Sequence, residues 1–201
     1  CIATPEFKRR EIAKNAHVKV ICTTDDPIDD LHYHRLLAEE ETELRVLPSF
    51  RPDKALNVDK EGFKQWVTAL AEETEQPITT YAQFIEALGQ RVDYFHQHGC
   101  RVSDHALDTL RYAEADEEQL EAIFQKALAG KPLEKADIDA YRTETLSRLF
   151  QFYHSYKWTM QLHIHAYRNC NTRMFETLGP DTGYDGINDL SLTVPLQQLL
   201  D

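Results

Sequence analysis

Six of the nine histidines in this 201-residue chain fall into three H-x-H pairs: His32 with His34, His96 with His98, and His163 with His165. Two imidazoles at that spacing can grip one ion or one substrate only if they share a face. On a helix, residues i and i+2 point about 200° apart, whereas on a strand they project from the same side. "PIDDLHYHRLLAEEE", 27–41, has helical spacing, so His32 and His34 cannot chelate together. His96 and His98 precede Gly99 at the end of another helical stretch, where an imidazole favours the carbonyl-rich terminus. Only "TMQLHIHAYRNCN", 159–171, reads as a strand running into a loop. There His163 and His165 are a metal pair, one catalytic histidine beside an unusual neighbour, or ordinary core and surface residues. Zinc would need one or two further ligands. Asp25, Asp26 and Asp104 could supply oxygen, or could cap loops and helices.

The arginines divide in a similar way. Arg51 and Arg168 each follow a strand body by a residue or two, where a guanidinium can hold a carboxylate through two parallel hydrogen bonds. Arg101, Arg111 and Arg142 read as solvated surface residues.

Four short segments must position these groups. "HVKVICTT" (17–24), the start of "ELRVLPSFRPDKA" (43–55), "CRVSDHALD" (100–108) and "TMQLHIHA" (159–166) each have an apolar, β-branched body and a polar C-terminal tip. Helical spacing marks 5–16, a stretch opening at Pro27, two amphipathic helices across 59–98 broken at Pro77, 116–129, 134–157 and the final "LSLTVPLQQLLD". Thr79 or Thr80 would cap the second helix of the 59–98 pair, and Gly99 would end it. In the longest helix, Ile138, Tyr141, Leu146, Leu149, Tyr153 and Tyr156 form an apolar stripe. Residues 167–189 read as a polar loop. The alternation of strand, loop and helix is that of a parallel α/β sheet, whose site lies beyond the carboxyl ends of its strands. The expected organisation is one domain, with βα units at 1–58 and 99–201 and a helical insertion at 59–98.

Composition narrows the function classes. A net charge of -12, with Lys and Arg dispersed, disfavours nucleic acid and anionic membranes as partners. No apolar run reaches the roughly 20 residues of a membrane helix, and the first residues lack a secretory h-region. Cys1, Cys22, Cys100 and Cys170 are scattered, which fits reduced thiols and a cytoplasmic protein.

"VKVICTTDDPIDDLHYH", "RVLPSFRPDKALN", "CRVSDHALDTL" and "MQLHIHAYRNCNTRMFETLGPDTGYDGIND" together resemble the uronate (glucuronate) isomerase family of the amidohydrolase superfamily, in order and over nearly the whole chain. The resemblance implies part of a (β/α)8 TIM-type barrel, about four parallel strands with a helical insertion, taken from the middle of a protein roughly twice this length. It implies aldose-ketose isomerisation, D-glucuronate to D-fructuronate and D-galacturonate to D-tagaturonate. It puts an active-site histidine on His163 and a site arginine on Arg168, and suggests Arg51 and Asp104 as residues close to a sugar acid. A divalent metal such as zinc is implied for the longer protein, with ligands mostly outside these 201 residues, and a homo-oligomer is compatible with it. His165 and Ala106 depart from the family pattern, standing where "LHIGA" and "SDHG" have glycine. The alternatives are a non-catalytic binding or scaffold fragment of the barrel, and a hydrolase of the same superfamily.

Overall fold

The β-branched apolar segments form short parallel strands, and the segments with helical spacing form the helices between them. The computed structural model describes residue 4, residues 8–40 and residues 43–201. Residues 5–7, where the first expected helix opens, lie outside the described residues, and α1 spans Arg9–Asn15. Strands β1 (Val20–Cys22) and β2 (Arg45–Leu47) pair in parallel. So do β3 (Val102–Leu107) and β4 (Thr159–Ile164), with Asp104 opposite Gln161 and Ala106 opposite His163. Pro48 has no amide to donate, and the regular pairing of β2 ends just before it. Phe50 then joins the two halves. Its amide donates to Val102 O at 3.1 Å and its carbonyl accepts from the Asp104 amide at 2.9 Å, while Arg51 N donates to Asp25 O at 2.9 Å. Through these bridges the four strand tips lie side by side in chain order.

The helices follow their local signals, with two instructive shifts. The stretch opening at Pro27 becomes helical only at α2 (His32–Glu39). Before it, the carboxylates of Asp29 and Asp30 accept the amides of Leu31 at 2.7 Å and His32 at 2.9 Å, and Leu31 takes φ 53°. Aspartates that bond nearby backbone compete with helix formation in this way. A one-turn helix, α3 (Asp53–Leu56), occupies part of the expected loop after β2. Across 59–98, α4 (Phe63–Glu73) and α5 (Tyr81–Gln97) flank Pro77. Thr80 caps α5 in a reciprocal capping box with Gln83, and Gly99 follows the end of α5 at φ 91°. Asp116 and Gln119 make the same box at the start of α6 (Glu117–Leu128), and α7 (Lys135–Ser155) follows.

The region after β4 is more structured than a polar loop. There β5 (Ala166–Tyr167) pairs antiparallel with β6 (Gly186–Ile187), and α8 (Thr172–Leu178) lies between them, capped by Asn171, before α9 (Thr193–Leu200). Two-residue strands are too short to leave a periodicity in the sequence.

The core lies on one side of the strands. Phe50, Phe63, Phe84, Phe124, Tyr141, Tyr153 and Trp158 belong to one buried cluster fed by α3 to α7. In β3, Ser103, His105 and Leu107 share the face turned to this layer, where the His105 ring meets Phe150 and Tyr153 of α7. Asp104 and Ala106 alternate onto the opposite face. In β4, Leu162 and Ile164 pack against buried leucines, and Gln161 and His163 point away to solvent. Among the described residues, no helix is long and apolar enough to cross a membrane.

Candidate active site at the strand tips

Alternation along β3 and β4 puts Asp104 and His163 on the face not covered by the helices. They are diagonal neighbours, since Asp104 is opposite Gln161 and His163 lies two residues further along. His163 Nδ1 stands 2.6 Å from Asp104 Oδ1, an ion-pair distance without the alignment of a hydrogen bond. The two side chains differ sharply in environment, that of His163 being 64% exposed and that of Asp104 only 10%. On the other side of Asp104, Arg51 Nη1 lies 3.5 Å from Oδ2. Arg51 leaves the strand region just past Phe50, at the point where the backbone bridges β1 and β3, so it reaches across the tip of β3.

A fourth residue completes the cluster. Asp53 opens α3, and its Oδ2 accepts from Arg51 Nε at 2.8 Å while its Oδ1 accepts from the backbone amide of Ala106 at 3.0 Å. A carboxylate two residues after a candidate arginine, in "RPDK", was the available signal for it. The structure thus brings together Arg51, Asp104 and His163 of the four residues singled out from the sequence.

Arg168 is held elsewhere. Its Nη1 lies 2.5 Å from Asp185 Oδ2 and 4.0 Å from Asp181 Oδ1, beside the β5–β6 pair. The hydrogen bond to Asp185 pushes the arginine pKa up, and bonds from the Asn169 amide and Arg168 pull that of Asp185 down.

His165 does not share the face of His163. Its backbone takes φ 69°, turning out of the strand, and the residue is buried with Nε2 lacking a partner among the described residues. That left-handed conformation costs glycine nothing and is tolerated by histidine more readily than by β-branched residues. An imidazole is therefore tolerated at this position, and the turn of the backbone removes the chelating pair. Among the described residues no three or more His, Cys, Asp or Glu side chains are grouped to hold a metal ion.

The remaining suspects take structural places. Asp25 accepts from the Thr23 hydroxyl at 2.6 Å and the Ser49 amide at 3.1 Å, and His34 Nε2 is 2.7 Å from the same hydroxyl. Asp26 accepts from Trp66 Nε1 at 2.8 Å and pairs with Lys54 at 3.1 Å. His98 Nδ1 lies 2.8 Å from Tyr94 O, and His96 Nδ1 accepts from Trp158 Nε1 at 3.0 Å, consistent with helix-end roles. Arg142 departs from the solvated reading, donating to Leu56 O at 3.1 Å and to Asp59 at 2.9 Å. Arg91 is buried on the apolar stripe of α5 and donates to the carbonyls of Pro27 and Asp29, so a helix of the 59–98 segment fixes the loop after β1. The signal for Arg91 was a cation spaced with Phe84, Leu88 and Phe95 on one helical face.

Comparison with known proteins adds an independent line. A family profile described as glucuronate isomerase matches residues 1–201. Proteins named uronate isomerase include one from Caldanaerobacter subterraneus subsp. tengcongensis, 45% identical over all of this chain and 43% of its own length. Another, from Bacillus subtilis, is 47% identical over 96% of this chain and 41% of its own length. The crystal structure of a uronate isomerase from Thermotoga maritima superposes with a TM-score of 0.89 at 34% identity, covering 98% of this chain and 44% of that one. A glucuronate isomerase structure from Caulobacter crescentus, at 24% identity and a TM-score of 0.87, shares the fold. The chain therefore spans less than half the length of the relatives it matches.

Proposed function

The chain belongs to the glucuronate isomerase family, and we propose that it contributes the Arg51, Asp104 and His163 side of a uronate isomerase active site. The single observation that carries this reading is the contact of Asp104 with both His163 and Arg51 at adjoining strand tips. The proposed reaction interconverts D-glucuronate with D-fructuronate and D-galacturonate with D-tagaturonate. The proposed architecture is four consecutive parallel strands of a (β/α)8 TIM-type barrel in one domain, with 59–98 as a helical insertion.

Such an isomerisation moves a proton between C2 and C1 through an enediolate. It requires a group that accepts and returns the proton, a donor that steadies the developing oxyanion, and an anchor for the remote carboxylate. In this reading Arg51 anchors the carboxylate or a hydroxyl, His163 protonates or polarises oxygen near the reacting carbons, and Asp104 beside it is a hydrogen-bonding or acid/base group. Arg168 is proposed as a second substrate-binding cation, which requires it to leave Asp185. A divalent metal such as zinc, if the longer protein holds one, would polarise substrate oxygen. Among the described residues no three His, Cys, Asp or Glu side chains are grouped to hold it. The isolated 201 residues are proposed to be inactive, because the face bearing His163 stays open to solvent.

The test is uronate turnover by the polypeptide that carries these residues, before and after His163→Asn and Asp104→Asn. Each substitution is expected to lower kcat at least about a hundredfold. Unchanged turnover in both would remove the pair from the mechanism and favour a scaffold role.

A further inference from the structure

The geometry points to Asp53 as a positioning residue that sets the guanidinium of Arg51 for the substrate carboxylate. An arginine on a partly exposed rim has four flexible side-chain torsions, and holding it in one orientation costs rotamer entropy. Left to itself beside Asp104, Arg51 would close on that carboxylate through both terminal nitrogens. The resulting bidentate pair would occupy the donors that a substrate carboxylate needs. Asp53 prevents this by taking Nε at 2.8 Å, which leaves Asp104 opposite Nη1 alone at 3.5 Å. Nη2 then has no partner among the described residues, and both its protons remain for an incoming anion.

Asp53 is itself fixed. Its other oxygen accepts the Ala106 amide at 3.0 Å, on the strand that carries Asp104 two residues earlier. One carboxylate therefore ties the orientation of Arg51 to the position of Asp104.

The consequence for substrate rests on the isomerase reading, whereas the hold on Arg51 does not, and two measurements separate them. Asp53→Asn is the informative variant. Its amide oxygen can still accept from Ala106 N, while its NH2 group meets Arg51 Nε donor to donor. In the 201-residue chain, NMR-detected exchange of the Arg51 Nε proton is expected to accelerate at least about tenfold in Asp53→Asn, with the Ala106 amide unchanged. In the longer active polypeptide, the same variant is expected to raise KM for the uronate at least about tenfold while kcat stays within about threefold.

Unchanged Nε exchange, or equal loss of protection at the Ala106 amide, would overturn the positioning role and leave Asp53 as a strand fastener. Accelerated Nε exchange with an unaltered KM would overturn its part in substrate binding. If the longer polypeptide turns over no uronate, the isomerase reading fails, and the exchange measurement still decides whether Asp53 sets Arg51.

Discussion

The helical layer behind β3 and the segment after β4 hold their functional suspects by different means. Behind β3, aromatic rings from α4, α5, α6 and α7 meet edge to face, as Phe63 does with Phe124 and Tyr141, and the strands rest on a continuous core. Arg51, Asp104 and the backbone of β4 are placed by that support. After β4, the two-residue strands and α8 expose Tyr167, Leu178 and Ile187, the last at 90%, and Arg168 is placed by an exposed ion pair with Asp185. Exposed ion pairs contribute little and exchange readily with solvent. The contrast teaches that two residues singled out at strand tips, Asp104 and Arg168, can be held by different means, one on a strand backed by a packed core and the other by a surface ion pair.

The contrast breaks most directly by opening the supported layer. Phe84 is fully buried and its ring meets Phe63, Trp66, Tyr81 and Phe124. Phe84→Ala should destabilise the chain by about 3 to 5 kcal/mol, read from urea unfolding midpoints. A loss below about 1 kcal/mol would show that the layer is looser than its packing implies.

The next effect separates the two faces of β3 by pH. His105 is fully buried with no partner at either ring nitrogen among the described residues, and burial pushes its pKa down to about 3. The unfolded chain takes up a proton near pH 6.5 and the folded chain does not until about 3. Stability should therefore fall as pH drops below about 6.5, by up to about 1.4 kcal/mol per pH unit from this group, and level off near 3. Unfolding curves of His105→Leu across that window should lack this slope. Parallel curves for the two proteins would mean that His105 finds a partner or becomes exposed.

The smallest effect belongs to the other region. Ile187→Ser should change the stability of the 201-residue chain by no more than about 0.5 kcal/mol. A change of several kcal/mol would show that the segment after β4 is held as firmly as the helical layer.

Much of the strand framework was legible in the sequence, because β-branched bodies with polar tips leave a strong local signal. Caps were legible for the same reason, as at Thr80, Asp116 and Gly99. Less legible were the delayed start of α2, which depends on competing aspartate bonds, and the strand pair at 166–187, which leaves no periodicity. Arg51, Asp104 and His163 were visible as strand-tip residues, but their mutual contact was not. Asp53 escaped because a carboxylate after Arg-Pro reads as a turn residue until its two donors, Arg51 Nε and the Ala106 amide, are seen.

Residue type and spacing by themselves determined which groups lie at strand ends, that His32 and His34 cannot act together, and which family the chain resembles. These follow from local periodicity and short motifs. Tertiary structure alone decided that Asp104 lies between Arg51 and His163, that Arg168 turns to Asp185, and that His165 leaves the strand face. Those outcomes depend on the register of separate strands and on one backbone torsion, neither of which a linear pattern encodes.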